Sequence, residues 1–216
     1  MVLAWAGTSD MSSGNSSLLD EIVLRGNELY GSLPDDLCFS HPNLPQLNLQ
    51  SNKLSGQIPF SLSHCSALYL INLCANNFTE RPLASANLSA LKFLAVYKNG
   101  LSGSLPQDLC YRYPNQKLLN VGNNQFHGSI HTSISRCSAL NTIELGYNKF
   151  TGSAPDNIGR NMTKLRHLVL GRNDFTGNIP RSIGNMSSLL ILTLTRNPFS
   201  ARNPAELAQI PQLEVI

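Results

Sequence analysis

Residues 165–183 read LRHLVLGRNDFTGNIPRSI. Leu165, Leu168 and Leu170 alternate with polar or small residues, the period of a short strand with one buried face. Asn173 ends that strand. Phe175 returns an apolar side chain to the interior, Gly177 permits a turn, and Ile179-Pro180 opens an extended return leg that closes at Ile183. The stretch is one turn of a coil. A single turn cannot bury its own apolar edge, so it needs copies above and below.

The copies are present. The same frame recurs at Asn27, Asn52, Asn76, Asn99, Asn124, Asn148, Asn173 and Asn197, at intervals of 25, 24, 23, 25, 24, 25 and 24 residues. Strand apolar pairs recur with it, among them Leu47 and Leu49, Ile71 and Leu73, Leu119 and Val121, and Ile143 and Leu145. Two residues past each asparagine stands a Leu or Phe, from Leu29 to Phe199. Self-similarity at this period is the signature of a leucine-rich repeat solenoid. The expected fold is an α/β-type repeat solenoid, a right-handed superhelix or horseshoe. One parallel β-sheet would line its concave face, with 3₁₀, short-helical or irregular segments on the convex side. Residues 1–18 read as an N-terminal cap remnant, mostly loop. Residues 19–212 form eight repeats, and 213–216 begin a ninth.

The asparagine is tied to this register by hydrogen bonding. Where the strand ends, the backbone turns inward and leaves N–H and C=O groups without ladder partners. A carboxamide carries both donors and an acceptor, so a buried one is expected to bridge its own coil and the next. Neighbours such as Asn77 and Asn123 read as ordinary loop asparagines.

Composition narrows the functional classes. Charged residues are 13% of the chain and the net charge is +3, too mild for a nucleic-acid surface, which wants a clustered basic face. No apolar run approaches the ~18 residues of a membrane span. The opening MVLAWAG is too short for a secretory signal, so either that segment is absent or the chain is a fragment. Leu213 and Ile216 fall in strand register for a ninth coil, which leaves an apolar edge expected to associate.

Some coils depart from the pattern. The third has Glu80 where the turn glycine is expected, which predicts a local distortion, and the eighth has Ala201 there. The fifth puts Gln116 in a leucine slot, with Leu118 shifting to compensate, and His131 in a proline slot. NPAELAQ predicts a short helix or 3₁₀ turn.

The turn segments LSGQIP (54–59), LSGSLP (101–106) and FTGNIP (175–180) resemble the plant-specific class of leucine-rich repeats, whose coils carry L/F-S/T-G-x-I/L-P. That resemblance covers nearly the whole chain. Proteins of this class are chiefly ectodomains of receptor-like kinases and receptor-like proteins, with some secreted inhibitors of cell-wall-degrading enzymes. Trp5-Ala6-Gly7 resembles the family's N-terminal cap, without its flanking cysteines. Asn197-Pro198-Phe199 with Pro204–Leu207 and Leu213–Val215 is similar to the HAESA-like peptide-hormone receptors.

Cys38 and Cys65 lie 27 residues apart, as do Cys110 and Cys137, and each pair sits at the same two places in consecutive coils. Coils stack at about a strand spacing, ~4.8 Å, so these cysteines are either bridged or small buried thiols. Cys74 has no counterpart and reads as a free thiol on the concave side. Sequons stand at Asn15, Asn77, Asn87, Asn161 and Asn185, but about four would arise from this composition by chance, so they argue weakly for glycosylation. His127 and His131 imitate a helical metal pair, yet they flank a glycine turn. No metal-binding, phosphate-cradling or nucleophile–base arrangement is found, so neither catalysis nor a cofactor is expected.

Positions four, two and one before each ladder asparagine, and the one after it, should project onto or beside the concave sheet. The candidate ligand-binding residues there are Tyr97, Lys98, Asn120, Glu144, Tyr147, Lys149, Arg172, Thr193 and Arg196, with His167 six before Asn173. Aromatic and Arg side chains are the usual anchors of interfaces. Gly122, Gly146 and Gly171 share one column, which predicts a shallow channel walled by Tyr97, Tyr147 and Arg172 and suited to an extended peptide. Two functions follow from the resemblance. The first is a ligand-sensing module of a plant receptor-like kinase, at the extracellular face of the plasma membrane. It would bind a peptide or protein ligand and pair with a co-receptor that also carries leucine-rich repeats. The second is a secreted inhibitor of a cell-wall hydrolase. A truncated product with no independent role is a third reading.

Overall fold

The computed structural model describes residues 21–80, 88–200 and 204–215. The strand segment of each coil pairs in parallel with the same segment of the next. Ile22–Val23, Gln46–Asn48, Leu70–Asn72, Phe93–Ala95, Leu118–Asn120, Thr142–Glu144, His167–Val169, Ile191–Thr193 and Glu214–Val215 form one nine-stranded sheet in chain order. Its register sets Leu47 beside Ile71, Ile71 beside Leu94, and so on through Leu119, Ile143, Leu168 and Leu192. Each of these central residues points inward and is buried, while the residue on either side faces outward and is half-buried.

A second parallel sheet, of seven strands from Tyr30–Gly31 to Asp174–Thr176, was not anticipated. The residues after the asparagines from Asn27 to Asn173 include extended segments of two to five positions, and stacking at a fixed period pairs them as it pairs the first set. The Leu or Phe two past the asparagine points into the core from this sheet. Phe126, Phe150, Phe175 and Phe199 stack as a column, with ring centroids 6.1, 6.1 and 6.3 Å apart. Its strands end in a left-handed turn, at Gly56 (φ 79°), Gly128 (φ 81°) and Gly177 (φ 72°) among others. Glu80 adopts the same conformation at φ 63°. The expected distortion is therefore absent at Glu80 itself, because stacking on the neighbouring coils holds a non-glycine residue in a conformation that disfavours a Cβ. The residues that follow, with Ala201, lie outside the described part.

The return legs differ from coil to coil. Leu37–Ser40 and Leu109–Arg112 are single α turns, whereas Phe60–His64, Thr132–Arg136, Arg181–Asn185 and Ala205–Gln209 are 3₁₀ turns. His131, in a proline slot, keeps a proline-like backbone (φ −71°, ψ 146°) and accepts from the Ser133 N–H to cap its 3₁₀ turn. The structure joins Cys38 to Cys65 and Cys110 to Cys137, with Cα atoms 5.2 and 5.0 Å apart. Each bridge ties one return leg to the next.

From Asn52 onward the asparagines form a continuous ladder. Asn124 is typical: its Nδ2 donates to the carbonyls of Val121 at 3.0 Å and Val96 at 2.9 Å, while its Oδ1 accepts from the Leu101 N–H at 3.0 Å. Asn52, Asn76, Asn99, Asn148, Asn173 and Asn197 repeat the pattern. One expectation is corrected: each carboxamide reaches back to the preceding coil, not forward to the next. Among the described residues, Asn27 is exposed and donates to its own Leu24 and Arg25 carbonyls; any coil before it lies outside the described residues.

Gln116 is also corrected. It fills the leucine slot itself, 1% exposed, and Leu118 does not shift: it stays on the outer sheet face beside Phe93 and Thr142. Gln116 Nε2 reaches the Leu118 carbonyl at 3.4 Å, and Oε1 is buried without a partner. A buried unsatisfied acceptor costs about 1–3 kcal/mol. Gln116→Leu restores the residue found at Leu44, Leu68, Leu91, Leu140, Leu165 and Leu189, all buried. We expect it to stabilise the chain by about 1–2 kcal/mol, read as a rise in the urea midpoint at unchanged slope. A midpoint at or below wild type would refute that account of the slot.

Candidate functional site

The outer face of the nine-stranded sheet is assembled from the residues that flank each buried strand centre. The local turn decides what stands beside it. The residue just before every ladder asparagine is left-handed: Ser51, Ala75, Lys98, Asn123, Tyr147, Arg172 and Arg196 all have φ between 52° and 58°. This kink swings the chain from one sheet to the other and splays the side chains of Lys98, Tyr147, Arg172 and Arg196 along the rim. Gly26 and Asn123, residue types that tolerate this conformation, were its sequence signal. Lys149 lies one step further on, exposed at the start of the second-sheet strand Lys149–Ser153, so it stands off the nine-stranded sheet.

Several candidates are brought together. Asn120 Nδ2 donates to Glu144 Oε2 at 2.5 Å, and Asn120 Oδ1 accepts from the Gly122 N–H. Burial pushes the Glu144 carboxyl up from its ordinary range, and the nearby His167 charge partly offsets this. The Arg172 guanidinium lies over the Tyr147 ring, 4.5 Å from its centroid, in a cation–π contact. Tyr97 and Tyr147 remain 40% and 53% exposed on the same rim. Thr193 is half-buried and Arg196 exposed at the far end.

The glycine column does not form an open channel. Gly122, Gly146 and Gly171 are buried, and a Cβ at each would lie 3.0–3.3 Å from its neighbours. The Tyr97 ring closes over Gly122, a Val169 methyl over Gly146, and a Thr193 methyl over Gly171. Removing side chains let the adjacent ones move in. What runs along the sheet instead is an apolar row. Leu70, Phe93 and Leu118 are register partners on the outer face, half-buried and contiguous. Sequence reasoning passed over them because it assigned outward positions to polar residues. The doubled apolar pairs Leu70-Ile71, Phe93-Leu94 and Leu118-Leu119 were the available signal.

Other predicted features are placed as follows. Cys74 holds a half-buried free thiol whose pKa burial raises to about 11, which keeps it protonated. Asn77, Asn161 and Asn185 are exposed, while Asn15 and Asn87, like Trp5 and the cap remnant, lie outside the described residues. Among the described residues no group of His, Cys, Asp and Glu side chains is arranged to hold a metal, and no helix is long and apolar enough to cross a membrane.

Two stacked parallel sheets, an internal asparagine ladder and a studded outer face define a leucine-rich repeat solenoid. A family model for the Leucine Rich Repeat matches residues 43–65 and 164–186. Receptor-like protein 34 of Arabidopsis thaliana is 32% identical over 133 residues, covering 59% of this chain and 13% of that protein. Receptor-like protein 43 of the same plant is 37% identical over 118 residues, covering 53% and 16%. Among solved structures, a chain of the PEPR1-AtPEP1 crystal structure superposes with a TM-score of 0.86 at 30% identity, over 92% of this chain and 28% of that one. The Arabidopsis receptor kinase HAESA, solved with the peptide hormone IDA and the co-receptor SERK1, gives 0.86 at 27% over 92% and 33%. The chain is thus similar, over part of their length, to plant receptor-like proteins and to the leucine-rich repeat region of a plant receptor kinase. The chain spans 13% of the length of Receptor-like protein 34.

Proposed function

We propose that this chain is the ligand-recognition segment of a plant receptor-like protein or receptor-like kinase, and that its outer sheet face binds an extended extracellular peptide. A co-receptor with leucine-rich repeats would join the bound complex. The observation that carries this reading is the row Leu70, Phe93 and Leu118, which runs across the strands beside the rim of Tyr97, Lys98, Tyr147 and Arg172. An extended peptide laid across the coils would meet a new strand about every 4.8 Å, close to the rise of one or two of its own residues. It would set alternate apolar side chains on the row and its polar groups against Asn120, Glu144 and the rim. The complex of HAESA with the peptide hormone IDA is consistent with that use of the fold.

The test is capture of peptides from a plant extracellular peptide pool by the parent ectodomain, followed by titration of whatever is retained. Phe93→Ser and Arg172→Glu, made singly, are expected to weaken the retained peptide at least tenfold, about 1.4 kcal/mol. If both variants bind it as wild type does, the peptide does not lie on this face.

A further inference from the structure

A second surface, on the return legs opposite the nine-stranded sheet, is independent of that reading. Its origin is a longer internal repeat. Cys38, Asn52 and Cys65 each find a like residue 72 positions on, at Cys110, Asn124 and Cys137. LPDDLC (33–38) corresponds to LPQDLC (105–110), and CSAL (65–68) to CSAL (137–140). The two copies fold alike, each with a single α turn, a 3₁₀ turn and one disulfide joining them.

They differ at the surface above the disulfide. In the first copy, Phe39 and Phe60 converge on His64, with ring centroids 4.6 and 5.7 Å from the imidazole. In the second copy the corresponding residues are Tyr111, Thr132 and Arg136. Thr132 is too small to reach across. A groove of about 630 Å³ opens there, lined among others by Asp108, Tyr111, His131, Thr132, Arg136 and Asn157. That volume lies in the range of small-ligand sites.

The chemistry of the lining is specific. Tyr111 presents a ring that is 84% exposed. Asn157 Nδ2 donates to Ser135 Oγ at 3.1 Å, and Ser135 Oγ spends its own proton on the Thr132 carbonyl at 3.0 Å. That proton direction fixes which way the Asn157 amide faces. Its Oδ1 is then a buried acceptor with no partner. The groove therefore offers an aromatic face, a hydroxyl at Thr132 and a guanidinium fork at Arg136. Stacked C–H faces and many hydroxyls are what such a set satisfies. An apolar side chain would find one ring and no enclosed pocket.

We infer that the groove between the return legs of the fourth to sixth coils binds a short oligosaccharide, one sugar ring stacked on Tyr111 and its hydroxyl oxygens accepting from the Arg136 guanidinium. The test is titration of the chain with defined oligomers of glucose, xylose and galacturonate, followed by NMR or calorimetry. Saturable binding of at least one series is expected. Tyr111→Ala, at an exposed site that leaves the core intact, should weaken it at least tenfold. Thr132→Phe installs the first copy's residue, so it should fold normally and close the groove, abolishing binding. Absence of saturable binding by every series overturns the proposal, as does binding undiminished in either variant, and retention of a peptide there in place of a saccharide would overturn it too.

Discussion

Gly159→Ala is expected to cost about 3 kcal/mol or more, or to prevent folding of the last coils altogether. A Cβ built at Gly159 falls 1.7 Å from the carbonyl oxygen of Ser182 and 2.4 Å from its carbon, in the next coil's 3₁₀ turn. These are backbone atoms, so no rotamer change relieves the overlap. The Gly159 N–H also donates to Ser182 Oγ at 3.1 Å, a bond that separation of the legs would break. Equivalent slots in the described coils hold Cys38, Ser63, Cys110, Ser135, Gly184 and Ala208, all small. Where a disulfide ties two legs, a cysteine fills the slot. At Gly159 and Gly184 the backbones approach until only glycine fits, and Gly184 likewise leaves 2.7 Å to Glu206. The comparison is Gly152→Ala, whose cost is that of a left-handed alanine, about 1–2 kcal/mol. Urea unfolding of both variants decides it: equal losses would mean that the close approach carries no energy.

Asn124→Ala should cost about 2–3 kcal/mol. It leaves the buried Leu101 N–H unpaired, at about 1–3 kcal/mol, and takes one of two donors from the Val96 and Val121 carbonyls, which keep those of Asn99 and Asn148. These groups belong to two coils, so the loss also weakens the contact between them, and in a solenoid that contact is where cooperativity resides. The neighbouring Asn123 is the control. Its side chain is outside the ladder, but its backbone is left-handed at φ 52°, so Asn123→Gly isolates the side chain with no conformational penalty. We expect Asn123→Gly to change stability by less than about 1 kcal/mol. Equal melting losses for the two variants would place the ladder elsewhere.

Legibility in the sequence followed the physics of the repeat. Asn52 through Asn197 were readable because a buried carboxamide has to occur once per turn at one register. The inward leucines were readable because the strand has period two. The second sheet was not, since its strands carry only one inward residue each, and three-residue extended segments leave no periodic trace. The outer face was read in part. Tyr147 and Arg172 could be assigned to it from register, but their ring–guanidinium contact needs the left-handed turn that tilts both along the rim. Gly122, Gly146 and Gly171 were read as an empty column, and packing filled it. Leu70, Phe93 and Leu118 were passed over because hydrophobicity alone does not say which face of a strand a residue occupies.

By itself the sequence determined the coil. Its length, its inward column and its asparagine spine are local or once-per-turn requirements, and each leaves a periodic mark in the chain. Only the tertiary structure decided what the surfaces are. A residue's exposure, the closing of Gly122 under Tyr97, the 1.7 Å clearance at Gly159 and the groove beside Tyr111 depend on residues one full turn away. Distances across that turn are set by how neighbouring coils settle against each other, which no single coil encodes.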